Sequence, residues 1–208
     1  MVLERERLFA PGAGWSYSNV GYMLARDHVE TASGQDIATL FEALIGGPLG
    51  LESIALATTR EQFARVCWSV AARYHPGWVY HGCLVGTARD AALLLHGLFV
   101  GTLLQPATFE QMLIRHPVGG AVEGRPWTAC GHGLGLMSGT MGETGRAIGH
   151  SGRGPFCINA VYHFPGRDDP ITVACFATGA DEGRAEFEAA RLARRDKRIP
   201  RCGASARA

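Results

Sequence analysis

Lysine is almost missing from this sequence: Lys197 is the only one in 208 residues. That excludes a phosphate-binding Gly-x-x-x-x-Gly-Lys-Ser/Thr loop, which needs a lysine directly before its hydroxyl residue. No Cys-x-x-Cys pair occurs either, and the six cysteines (Cys67, Cys83, Cys130, Cys157, Cys175 and Cys202) are widely scattered. Several lie inside apolar stretches such as ITVACFATG, where cysteine behaves as a small buried hydrophobe. They read as free thiols and not as a disulfide framework or zinc site. His75 and His81 have no partner at metal-ligand spacing, so no metal and no cofactor is expected. No apolar run approaches the ~20 residues of a membrane span. The opening residues MVLERERLFAPG lack the apolar core of a signal peptide, which leaves cytoplasmic, periplasmic and secreted locations all open. An excess of one charge is missing too: 20 basic residues face 19 acidic ones, a net charge of +1. No broad field therefore favours nucleic acid or an anionic membrane.

What is present is globular. Hydrophobic residues make up 47% and charged residues 19%, which allows one substantial core. VGYMLARDHVETA, residues 20–32, has a helical pattern, with Gly34 just past its end. Asp36 can cap a second helix, IATLFEALI, which Gly46, Gly47 and Pro48 should stop. Residues 51–86 carry little regular pattern, and HPGW at 75–78 reads as a loop. Thr87 with Asp90 is a variant capping box opening ARDAALLLHGLF; Pro106 opens the short helix ATFEQMLI. After about Arg125 alternating and β-branched segments take over: HGLGLMS, RAIGHSG, FCINAVYHF and ITVACFATG. PGRDD at 165–169 is a hairpin turn between the last two. A final helix, DEGRAEFEAARLARR, follows. Helices, then an antiparallel meander, then a closing helix imply an α+β layered domain. It divides into a mainly helical part (1–125), a part of antiparallel strands plus the C-terminal helix (126–192) and a basic tail (193–208). A solvated tail explains that last charge run better than a nucleic-acid patch.

Two short motifs carry candidate chemistry. In PGAGWSYSNVGY, residues 11–22, Tyr17, Ser18 and Asn19 stand between a Pro/Gly turn and the first helix; Ser18 or Asn19 could simply be its N-cap. In GHSGR, residues 149–153, the spacing nearly matches the Gly-x-Ser-x-Gly nucleophile elbow, but Arg153 replaces the last glycine and a strand follows instead of a helix. The glycines of GHGLG and HSGRG lack the strand–turn–helix context of a dinucleotide site.

Taken with their surroundings, these motifs resemble a known family. LFAPGAGWSYSNVGYMLARDHVETASGQDIATLFEALIGGPLGL resembles the Tyr-x-Asn region of class C β-lactamases, DD-peptidases and related esterases and amidases. VYHGCLVGTARDAALLLHGLFVGTLLQPATFEQML is similar to the family's next helical segment. IGHSGRGPFCINAVYHFPG is similar to the strand bearing Lys-Thr-Gly in β-lactamases and His-x-Gly in many relatives. The resemblance runs from about Leu8 to Leu192 with the segments in the family's order. It implies a β-lactamase/transpeptidase-like fold, an antiparallel sheet flanked by helices, and acyl transfer through a serine ester on a small-molecule or peptide substrate. It also assigns roles. Tyr17 moves protons between nucleophile and leaving group, Asn19 holds the acyl carbonyl, and His150 takes the place of the basic residue of Lys-Thr-Gly. Ser151 would present its hydroxyl to substrate, Gly152 would let substrate lie against the strand, and the backbone N–H of Arg153 would supply an oxyanion-hole donor.

The family's nucleophile is the serine of Ser-x-x-Lys, and the sequence contains no such motif: three residues before Lys197 stands Arg194. The resemblance therefore covers the C-terminal portion of the family's domain, with the nucleophile segment and the first strands absent. Two expectations follow from it. Tyr17, Asn19 and Ser151 converge on one cleft. The ITVACFATG strand has an unpaired outer edge, which makes the chain prone to self-association.

Overall fold

A computed structural model describes residues 8–195. Of the tail expected at 193–208, residues 193–194 belong instead to the last helix, Glu182–Arg194, where Ala193 is buried; residues 196–208, with Lys197 and Cys202, lie outside the described residues.

Helix α1 spans Asn19–Ser33. Ser18 is its N-cap, with Oγ accepting from the Gly21 N–H at 3.0 Å. Gly34 closes it in the left-handed region at φ 68°, where a side chain would be strained. Asp36 caps α2, Ile37–Phe41, by accepting from the Thr39 N–H. The expected stop at Gly46-Gly47-Pro48 is not where the helix ends. It widens into a π turn, Glu42–Gly46, and runs on as α3, Gly47–Leu49, before Gly50 stops it at φ 61°. Pro48 sits at the start of α3, directly after the π turn.

Strand β1 (Ala55–Leu56) pairs with β2 (Leu84–Val85), and between them lie α4 (Arg60–Phe63) and two 3₁₀ turns. The second of these turns, Pro76–Trp78, occupies the stretch expected to be a plain loop. Helix α5 spans Ala88–Phe99, and Thr87 accepts from the Asp90 N–H as expected. The other half of the box is missing because the buried Asp90 carboxylate turns to Ser53, accepting from its N–H at 2.8 Å and its Oγ at 2.7 Å. Helix α6 is Pro106–Met112.

Six antiparallel strands then follow in sequence order across one sheet: β3 (His116–Gly119), β4 (Ala129–His132), β5 (Met137–Thr140), β6 (Arg146–Arg153), β7 (Cys157–Phe164) and β8 (Ile171–Thr178). HGLGLMS is not one extended segment: residues 133–136 turn the chain between β4 and β5. Helix α7, Glu182–Arg194, packs against β6, β7 and β8, while α5 packs against β7 and β8.

Strand alternation decides which core each side chain joins. Ala147, Ile158, Ala160, Tyr162 and Phe164 meet Ala185, Ala189, Ala190 and Ala193 of α7, whose small side chains let the helix lie close to the sheet. Ile148, one residue along from Ala147, belongs to a second cluster with Leu95, Leu98 and Leu136. The helical part is covered far less: no residue of α1 or α2 is buried, and Leu24, Val29 and Leu44 are exposed. Among the described residues β8 pairs only with β7, so its outer edge carries no strand.

Ile148 is 2% exposed and joins the sheet to α5. Ile148→Ala should cost about 2–5 kcal/mol through lost burial and an unfilled cavity, read from urea unfolding. A loss under about 1 kcal/mol would mean that this layer closes over the gap.

Candidate active site

Two segments far apart in sequence meet at the upper end of the sheet. Residues 15–17 lead into α1, whose start is pinned by the Ser18 cap. The Trp15 ring stacks on His132, the last residue of β4, with centroids 3.8 Å apart and planes at 15°. The Tyr17 ring lies 6.2 Å from the His150 ring of β6 and 5.8 Å from Tyr22. His132 and His150 are 6.4 Å apart, edge to face.

The strand beneath is only partly covered. β5 pairs with β6 from Arg146 to Gly149, whereas β7 accompanies β6 through to Arg153. From His150 to Arg153 the β5 side of the strand therefore carries no neighbour among the described strands. The stretch that resembles the family's substrate strand is also the stretch left free along one edge.

His150 has a defined chemistry. Its Nδ1 is 2.6 Å from the Ser151 carbonyl oxygen; a carbonyl only accepts, so Nδ1 carries the proton and Nε2 keeps a lone pair. Burial lowers the His150 pKa, against the opposing pull of that hydrogen bond and of the Glu182 charge. The ring is consequently neutral at neutral pH, unlike a lysine at this position. His132 is pushed down to about 4 by burial, with the His150 and Arg125 charges adding to the effect. Tyr17 is shifted upward by burial and by the Glu182 and Tyr80 charges, which keeps its hydroxyl protonated.

Ser151 is not in this cleft. It is 5% exposed and faces α7, where Oγ donates to Glu186 at 2.5 Å and lies 2.6 Å from the Tyr162 hydroxyl. This corrects the expectation that Tyr17, Asn19 and Ser151 converge: successive residues of a strand point to opposite faces, and His150 takes the face toward Tyr17. Asn19 is exposed in the first turn of α1, and its side chain makes no hydrogen bond among the described residues. At Gly152 an added Cβ would lie 2.8 Å from the amide end of Asn159, its partner across β7, so the neighbour that profits from the missing side chain here is Asn159. The Arg153 side chain is exposed, and the residue pairs with Ile158.

Beneath the site lies a polar cluster that sequence inspection missed. Glu186 of α7 is fully buried. It accepts from Arg125 through both Nε (2.7 Å) and Nη2, and from Trp127 Nε1 at 3.1 Å. Arg125 also reaches Glu182 at 3.2 Å. Burial alone would raise the Glu186 pKa; the hydrogen bonds from Arg125, Ser151 and Trp127 overcome it and hold the carboxyl below its usual value. Trp15 and His132 were missed as well, since nothing local in either segment signals a stacked pair.

The chain belongs to the β-lactamase family, whose profile matches residues 1–196. No curated protein matches it. Solved structures share the fold. D-amino acid amidase from Ochrobactrum anthropi SV3 is 23% identical with a TM-score of 0.66, over 83% of this chain and 53% of that one. The β-lactamase/D-alanine carboxypeptidase from Yersinia pestis is 19% identical with a TM-score of 0.58, over 85% and 54%. An octameric penicillin-binding protein homologue from Pyrococcus abyssi is 19% identical with a TM-score of 0.65, over 89% and 44%. The chain thus spans about half the length of these relatives. Among the described residues no helix is long and apolar enough to cross a membrane.

The electrostatics give a pH signature. His132 and His163, the latter stacked on Phe99, both titrate near 4, burial being the main cause. The ordinary histidine value is about 6.5, so the unfolded chain takes up these protons first. Stability from the neutral rings is complete above about pH 6.5 and drains away as the pH falls toward 4. Glu186, held low when folded, adds a loss in the same direction once the pH drops through the ordinary carboxylate range. Melting temperature should therefore decline steadily below about pH 6.5, and His132→Asn and His163→Asn should each flatten that decline. A melting temperature unchanged down to about pH 4.5 would contradict the buried, neutral state of both rings.

Proposed function

We propose that this chain forms the Tyr-x-Asn and His-Ser-Gly portion of a serine acyl-transfer hydrolase acting on an amide, ester or β-lactam. The observation that carries this reading is the approach of Tyr17 to His150, at 6.2 Å, beside the free edge of β6. In this reading a serine hydroxyl attacks the acyl carbon, and Tyr17 passes that proton toward the leaving group. Water then releases the acyl group from the serine. Asn19, on the first turn of α1, holds the acyl carbonyl from the solvent side. Gly152 and the Arg153 backbone N–H line the substrate's path along β6, with the N–H as an oxyanion donor. Ser151 supports this edge from behind through Glu186 and does not face the substrate.

Among these, amides and esters fit the site better than β-lactams do. His150 offers a neutral acceptor where a β-lactamase lysine offers a positive charge, and the Arg125 guanidinium is committed to Glu182 and Glu186. That favours amides and esters over ligands recognised through a carboxylate. Copies of this fold can also assemble, as the octameric homologue illustrates.

A second reading rests on the sequence: without a Ser-x-x-Lys motif the chain is a ligand- or partner-binding remnant. In-frame coding sequence upstream of Met1 discriminates the two, because a Ser-x-x-Lys there supports the hydrolase and its absence supports the remnant.

Two outcomes are expected. The 208-residue chain alone should show no labelling by a fluorophosphonate or a fluorescent penicillin above that of a denatured control; a label mapped to a defined serine would sink this claim. In a form carrying the Ser-x-x-Lys segment, Tyr17→Phe should lower kcat by about 10²- to 10⁴-fold. The melting temperature should hardly move, because the ring is half exposed. Equal loss of activity and stability would make Tyr17 a packing residue.

A further inference from the structure

We infer that Ser151 is the positioning residue of His150: anchored to α7 through its side chain, it uses its carbonyl to hold the neighbouring imidazole in the Nδ1–H form, with Nε2 left to the cleft. The consequence rests on the acyl-transfer reading, in which His150 faces substrate; the hydrogen-bond path itself does not depend on it.

The two ends of Ser151 serve opposite faces of β6. Its Oγ donates to Glu186 at 2.5 Å and lies 2.6 Å from the Tyr162 hydroxyl, on the α7 face. Its carbonyl oxygen is 2.6 Å from Nδ1 of His150, whose ring stands on the other face. That oxygen only accepts, so the single proton of the neutral ring is drawn to Nδ1. Neither ring nitrogen of His150 has another hydrogen-bond partner among the described residues. The tautomer is therefore decided at this one contact.

Little else fixes the carbonyl. β5 accompanies β6 only as far as Gly149, and the peptide that carries the Ser151 oxygen leads into Gly152, which has no Cβ to restrain it. On the other side β7 holds the strand, with Ala160 opposite Ser151. The side-chain anchor supplies what the open side does not. Arg125, Trp127 and the Tyr162 hydroxyl keep the Glu186 carboxylate in place, and a turn of Ser151 would take one donor from it. A residue that merely satisfied Glu186 would leave the imidazole indifferent to its removal.

Nitrogen-15 NMR of the histidine rings, in the chain alone at neutral pH, reads the tautomer directly, and His150→Gln assigns the signals. The wild-type His150 ring should be in the Nδ1–H form. Ser151→Ala should shift the tautomer ratio about fivefold toward Nε2–H, the worth of one hydrogen bond. Its fold should survive by circular dichroism, because Glu186 keeps its other donors. Ser151→Thr, which retains the hydroxyl, should restore the wild-type ratio. A wild-type ring in the Nε2–H form would overturn the inference without recourse to any variant. A folded Ser151→Ala with an unchanged ratio, or a folded Ser151→Thr that fails to restore it, would overturn it as well. None of these results bears on whether a serine nucleophile exists, which the upstream coding sequence decides.

Discussion

A carboxylate withdrawn from water costs several kcal/mol unless its lone pairs are matched by donors, and Glu186 is withdrawn completely. It is matched from three directions at once. Arg125 and Trp127 reach it from the segment before β4, and Ser151 reaches it from the middle of β6. The Tyr162 hydroxyl lies 3.2 Å from Glu186 Oε1 as well as beside Ser151 Oγ, and 3.3 Å from Met137 Sδ, which ties in β7 and β5. The sheet, the connecting segment and α7 are thereby fixed in one register around a single ionised group. Any slip of α7 along the sheet would strand that charge without its donors.

The candidate site inherits its geometry from this cluster. Ser151 can only reach Glu186 if β6 turns that residue toward α7, and the alternation of the strand then obliges His150 to face the other way. There it meets Tyr17, brought in by the capped start of α1 and by the stacking of Trp15 on His132. The two faces of one strand thus divide the work, with the ionised, fully bonded cluster on one side and neutral, accessible groups on the other.

The sequence was legible where a signal is local. Caps at Ser18, Asp36 and Thr87 mark three helix starts, and Gly34 marks an end, because each acts within one turn of its own residue. The alternation in β6, β7 and β8 and the turn between the last two could be read for the same reason. The π turn after Phe41 could not, since a glycine-proline run stops a helix in most settings and here only tightens it again. Glu186 was hidden by its neighbours: in EGRAEFEAARLAR it looks like one more solvated charge. Only its place in the stripe with Gly183, Ala189, Ala190 and Ala193 sets it apart, as a carboxylate on the small-residue face. Motif order singled out Tyr17 and His150, whose rings do approach each other, but which face Ser151 would take depended on a partner thirty-odd residues away.

The electrostatic consequence reaches the chemistry. Arg125 lies beneath the site, and its charge is engaged by Glu182 and Glu186, which raise its own pKa in return, chiefly through the Glu186 hydrogen bond. What remains toward the cleft is a protonated phenol, two neutral imidazoles and backbone groups along the free edge of β6. These groups offer hydrogen bonds rather than a fixed positive charge. The same burial that lowers His150 leaves its Nε2 lone pair available at neutral pH, where a lysine would be protonated. In the acyl-transfer reading proposed above, a histidine at this position can act as an acceptor where a lysine would supply a positive field.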